Sequence, residues 1–142
     1  MAIGSQGARI TNLTVTQACW ELRTTAAVRA TVLEFSYISA TATAQTQGLG
    51  RPQAIGVTPG GTALFQRDEP GAPVCVSLTA LSWATSPTVP LVFLRRWNLA
   101  ATLGVGVIFT FPRGLVVPVS SSVVSWNIAA ALASDVNCII DE

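Results

Sequence analysis

Residues 104–142 read GVGVIFTFPRGLVVPVSSSVVSWNIAAALASDVNCIIDE, and the reading of this C-terminal stretch decides the fold. Four short apolar runs follow one another: Val105–Phe111, Leu115–Val119, Val123–Ile128 and Val136–Ile140. Turn formers separate them, namely Pro112-Arg113-Gly114, Ser120-Ser121-Ser122 and Ala133-Ser134-Asp135. Short runs rich in Val, Ile, Phe and Trp, bounded by Gly, Pro and Ser, are the pattern of strands. The spacing leaves no room for crossover helices, so the strands pair antiparallel in a sandwich. Arg113 falls in the turn Phe111-Pro112-Arg113-Gly114. Trp126 and Asn127 close a strand, where an Asn beside a Trp can lock a corner by hydrogen bonding.

Working outward, the preceding chain repeats the pattern. Leu13–Thr24 alternates apolar and polar residues, with a phase shift near Ala18-Cys19 that predicts a β-bulge. In Val28–Ala40 the alternation puts Leu33, Phe35 and Tyr37 on one face, with Glu34 and Ser36 on the other. Val74–Trp83 alternates strongly, and Pro90–Trp97 forms a further strand ending in Arg95-Arg96-Trp97. Between these lies an irregular stretch, Thr41–Gly61, with five Gly and two Pro. Gly48-Leu49-Gly50-Arg51-Pro52 reads as a loop, Ala54–Val57 as a short strand and Pro59-Gly60-Gly61 as a turn. Thr62–Gln66 is another short strand, and Arg67–Pro73 is a polar turn whose Asp68 and Glu69 read as a solvated tip. A loop as long as residues 41–61 is often functional or covered by a partner. Leu49 and Arg51 are therefore candidates for contact with a neighbouring subunit, as are Arg95 and Arg113.

The first twelve residues have no strong periodicity and read as an extended arm, mobile alone or ordered by a neighbour. Ile3, Arg9 and Ile10 are its candidate gripping residues. The domain reading is an arm over 1–12 followed by one domain over 13–142. The fold class is all-β: a jelly-roll-like antiparallel β-sandwich of eight to ten strands, without an internal repeat.

Composition bounds the function. The chain has 142 residues, half of them hydrophobic and only 11% charged, against about 25% charged in an ordinary soluble domain. Part of its surface is therefore expected to be buried against a membrane or other chains. No apolar run approaches the ~20 residues of a membrane helix, and the strands are too irregular and too often broken by Pro for a lipid-facing barrel. The expectation is a homo-oligomer without a membrane partner. All eight basic residues are Arg, the choice for packed interfaces because the planar guanidinium pairs bidentately and stacks. A net charge of +1 gives no electrostatic footprint for nucleic acid.

The chemistry of a catalytic site is missing from the sequence. There is no His, so no Ser-His-Asp triad can form. Cys19, Cys75 and Cys138 lie in apolar runs without CxxC spacing and read as buried hydrophobes in a reducing cytoplasm, not as metal ligands. Asp68 and Glu69 have no further carboxylate nearby in sequence. The glycine-rich loop lacks the GxxxxGK[ST] pattern for phosphate. No secretory signal is read at the N-terminus. The expectation is a non-enzyme without cofactor, metal or small-molecule substrate.

One resemblance sharpens this. Gly48-Leu49-Gly50-Arg51-Pro52 with Ala54–Pro59, then Phe109–Pro118 and Val124-Ser125-Trp126-Asn127, resemble a group of small proteins of tailed-phage genomes. The likeness covers residues 28–142. It implies a capsid cement, or decoration, protein with a jelly roll similar to the tumour-necrosis-factor type. It also implies a homotrimer on the outer surface of the virion that clamps the major capsid protein, and it assigns no site residues. The alternative is a trimeric receptor- or carbohydrate-binding head of a phage fibre, which would expose Trp83, Trp97 and Trp126 together for sugar stacking.

Overall fold

A computed structural model describes residues 2–58 and 63–142. The expected turn Pro59-Gly60-Gly61, and Thr62 at the head of the expected strand Thr62–Gln66, lie outside the described residues. Eleven strands follow in chain order: β1 Ile3–Arg9, β2 Ala18–Arg23, β3 Ala30–Ser39, β4 Gln45–Gly50, β5 Ala63–Leu64, β6 Gln66–Arg67, β7 Leu78–Ala80, β8 Arg95–Leu99, β9 Gly106–Val117, β10 Ser122–Ala129 and β11 Ser134–Asp141. All paired neighbours run antiparallel.

The strands form two sheets, in the orders β6-β1-β11-β3-β9 and β5-β7-β2-β10-β4-β8. Without the short strands β5, β6 and β7, the sheets are β1-β11-β3-β9 and β2-β10-β4-β8. Successive strands then cross from one sheet to the other at every step except β4 to β8, which is the winding of a jelly roll. The main core lies between the sheets. Phe35, Tyr37, Val136, Cys138 and Ile140 from one side meet Trp20, Leu22, Leu49, Trp97 and Val123 from the other. Aromatic rings interlock there: Trp97 stands edge-on to Phe35, Tyr37 and Phe109 at centroid distances of 6.0, 5.5 and 5.3 Å.

The second sheet is also covered on its outer face. Ala18, Val124 and Trp126 are buried there beneath Trp83 and Phe93. Phe93 lies directly on the backbone of β4, where any Cβ on Gly48 would sit 2.6 Å from its Cδ1 atom. The Gly48–Pro52 segment expected as a loop is therefore mostly strand. Its glycines leave the space into which Phe93 and Pro90 pack. The segment ahead of β8 folds over this sheet, held by Val57 bridging to Thr85. That bridge and a hydrogen bond from Thr88 N to Ala54 O stand where a strand over Ala54–Val57 was expected.

Five other expectations are corrected. The N-terminal arm is not separate: β1 pairs along its whole length with β11, from Ile3 opposite Asp141 to Arg9 opposite Asp135. Its weak periodicity reflects small and polar residues on a strand between two others. Val105–Phe111 and Leu115–Val119 are not two strands about a turn, because β9 runs through Pro112-Arg113-Gly114. Its residues 111–114 bulge out opposite Leu33, since Val32 pairs with Leu115 and Glu34 with Thr110. Gly114 makes this possible, with φ +68° and Thr31 Cγ2 lying 2.1 Å from where a Cβ would be. Leu33 is itself bulged against β11, so the inward set of β3 is Ala30, Val32, Phe35 and Tyr37. The strand over Leu13–Thr24 begins only at Ala18, although Cys19 is the extra residue of a bulge against β10, as the phase shift predicts. In the Val74–Trp83 alternation only Leu78–Ala80 is strand, and Cys75 and Ser77 point inward while Val74 and Val76 are exposed.

Candidate interaction surface

The edge of the sandwich formed by β8 and β9 collects three of the arginines singled out in the sequence. β9 is the last strand of its sheet and β8 the last of the other. Where the β9 bulge meets the start of β8, a cleft of about 470 Å³ opens, lined by Leu94, Arg95, Thr110, Phe111, Pro112, Arg113, Gly114 and Leu115. The Arg95 guanidinium lies 5.5 Å from the Phe111 ring centroid, within cation–π range, and its Nη1 donates to Leu94 O at 2.8 Å. Arg113 is exposed and has no ion pair among the described residues. Arg51 reaches the same strand from the end of β4, donating from Nη2 to Val116 O at 2.9 Å. Arg95 and Arg96 are both exposed, while Trp97, the next residue of the strand, is buried.

Exposed apolar side chains also occur on the elements that form this edge. Leu91 and Val92, just ahead of β8, are 90% and 81% exposed, and Ile108 on β9 is 68% exposed. Leu94, Val116 and Val119 add to them. Single exposed apolar residues are normal; on these two edge elements they add to the apolar lining of the cleft.

The opposite edge of the five-stranded sheet is acidic. A recess of about 250 Å³ is lined by Ile3, Asp68, Glu69 and Ala72. Ser5 Oγ donates to Asp68 Oδ1 at 2.5 Å, and Glu69 is exposed. Ile3 is thus a half-buried wall beside two carboxylates.

The remaining candidates fall elsewhere. Arg9 pairs with Asp135 across β1 and β11 on the outer face of that sheet, through contacts of Nε to Oδ1 and Nη2 to Oδ2. That carboxylate raises the pKa of the guanidinium further. Ile10 and Leu49 are corrections: they are 2% and 1% exposed, packed in the main core, and present no side chain to a partner. Alternation along β4 turns Gln45, Gln47 and Leu49 inward, a phase hidden in the sequence by its glycines.

Three polar features escape the sequence reading. Glu21 is fully buried on the outer face of β2, bridged to Arg23 Nη2 at 3.0 Å and accepting from Trp83 Nε1 at 2.6 Å. The Glu142 carboxylate accepts from the backbone N–H groups of Val76 and Ser77 at 2.7 and 2.8 Å. Asp141 is half-buried, with Oδ1 lacking a hydrogen-bond partner among the described residues. The corner role expected of Asn127 is present: its Nδ2 donates to Asn12 O and Thr14 O at 3.0 and 3.2 Å. All three cysteines are buried and free. Among the described residues no group of three or more His, Cys, Asp or Glu side chains is placed to hold a metal ion.

In comparisons with known protein families, curated proteins and solved structures, the chain matches none.

Proposed function

We propose that this chain is a structural virion protein, a capsid cement protein that assembles as a trimer and stabilises the mature phage head from outside. The observation that carries the proposal is the apolar and arginine-bearing edge of a charge-poor jelly roll: a cleft lined by Leu94, Arg95, Phe111, Arg113 and Leu115, with Ile108 exposed on β9 and Leu91 and Val92 exposed on the segment ahead of β8. Such an edge supports burial against other protein chains. The likeness of residues 28–142 to small tailed-phage proteins supplies the particular partner, the major capsid protein. A cement protein needs no chemistry. It binds the expanded lattice and not the unexpanded one, and so stabilises the former by mass action.

The fibre-head reading ranks second on an observation about the tryptophans. Trp97 and Trp126 are 6% and 1% exposed, and Trp83 turns its Nε1 to buried Glu21. No shared aromatic platform for a sugar is presented.

Co-sedimentation with expanded and unexpanded heads of the parent phage tests the proposal. Retention on expanded heads alone is expected. Failure to bind either form, with the protein folded, overturns it.

A further inference from the structure

We propose that the subunits associate head to tail, the acidic turn at the β6 edge of one copy seating in the arginine cleft at the β8–β9 edge of the next. This rests on the homo-oligomeric reading above and names its interface.

The two surfaces are complementary in charge and lie where one chain cannot join them. The cleft carries Arg95 and Arg113 on an apolar floor of Leu94, Phe111 and Leu115. The turn carries Asp68 and Glu69, followed by Pro70, Ala72 and Pro73. In a chain with few charges, the described residues make two ion pairs, Arg9 with Asp135 and Arg23 with Glu21. None of Arg95, Arg113, Asp68 and Glu69 is in either of them. Arg67 beside the turn is turned back on it, its Nη1 donating to Ala72 O at 3.0 Å.

Position makes the contact intermolecular. β6 and β9 are the two ends of the order β6-β1-β11-β3-β9. Four strand spacings of about 4.8 Å put the turn roughly 19 Å from the cleft of its own chain. A second copy has no such obstacle. Because the joined patches differ, the contact is heterologous, and it closes into a ring when the rotation between copies divides a full circle. A trimer is one such ring. The contact also covers β9, a twelve-residue edge strand that would otherwise be open to uncontrolled pairing.

The test is the mass in solution, by light scattering, of the full chain and three variants: Arg113→Glu, Asp68→Arg with Glu69→Arg, and all three changes together. The expected result is an oligomer for the wild type. Either partial reversal should drop to the single-chain 14.8 kDa, and the combined variant should return to the wild-type mass. The changed side chains lie on exposed surface, and circular dichroism shows whether strand content is kept. Arg113→Gln, a milder change, should shift dissociation to higher protein concentration if a reversal fails to fold. An oligomer that persists through both partial reversals overturns this interface while leaving the homo-oligomer intact. A combined variant that folds but stays monomeric overturns the pairing of these two surfaces. A wild type that is monomeric at every concentration overturns the homo-oligomeric reading itself.

Discussion

At the scale of single residues, burial is what gives side chains their character here. Cys19 is fully buried, its Sγ donating to Ser125 O at 3.2 Å, and desolvation pushes its thiol up from the ordinary 9.0 to about 12. Burial raises the Cys138 thiol and the Tyr37 hydroxyl as well. Because the folded pKa lies above the unfolded one, the neutral form is the one the fold keeps. Stability is therefore complete below about pH 9 and declines above it, where the unfolded chain gives up protons that the native state retains. The slope is about 1 kcal/mol per pH unit for each thiol, and it steepens near pH 10 as Tyr37 joins. Urea midpoints should be level from about pH 7 to pH 8.5 and fall towards pH 11, less steeply for Cys138→Ala. A midpoint independent of pH up to 11, or the same slope in the variant, would show that the thiols are not shielded. The burial of the cysteines was legible from their apolar surroundings. That of Glu21 was not, because alternation with Trp20 and Leu22 sends it to the outer face, and an outer face normally meets water. Arg23, two residues along the same strand, is one partner, and only the return of the chain supplies the other, Trp83.

At the scale of elements, the strands that were misread share a cause: the sequence signal for a loop is the same glycine or proline that a packed strand uses for close approach. β4 contains Gly48 and Gly50, yet it lies between β10 and β8 in the sheet, because Phe93 fills the space their missing side chains leave. β9 contains Pro112 and Gly114, yet it continues, because the bulge against Leu33 absorbs them. Apolar content located β3, β10 and β11; β3 and β11 alternate towards one core, while β10 sends Val123 into the main core and Val124 and Trp126 to the covered outer face. It could not separate a turn from a bulge, which depends on the partner strand. A substitution tests the β4 account. Gly48→Ala places a methyl against the Phe93 ring and should cost about 1–3 kcal/mol of stability, the range for overpacking. In a Phe93→Leu background the same change should cost about 1 kcal/mol less, because the ring it strikes is gone. Equal costs in the two backgrounds, measured by denaturant unfolding, would mean that the glycine serves the strand for another reason.

At the scale of the whole molecule, the jelly roll is closed by its ends. The winding could be anticipated from the number and spacing of strands, but the place of the first residues could not, since β1 finds its partner in β11, more than a hundred residues away. Only Ile3 and Ile10 interrupt the small and polar residues from 2 to 12, and a strand held on both sides by others needs little apolar periodicity of its own. The backbone joins the termini further: Ala2 N donates to Glu142 O at 2.8 Å, and Glu142 N to Ala2 O at 3.1 Å. Glu142 in turn holds the 76–77 segment through its carboxylate. Removing residues 2–11 therefore strips β11 of one neighbour, leaves β6 unpaired and takes Ala2 and Ile10 from the core. Truncating a buried Ile to Ala alone costs about 2–5 kcal/mol, against a total stability of about 5–15 kcal/mol for a domain. With the ladder lost as well, the truncated chain should show no cooperative unfolding transition and should lose its near-ultraviolet circular dichroism. A truncated protein that unfolds cooperatively near the wild-type midpoint would make β1 a detachable arm after all. Its loss could then be read for attachment alone, in the co-sedimentation assay, without a change in fold to confuse it.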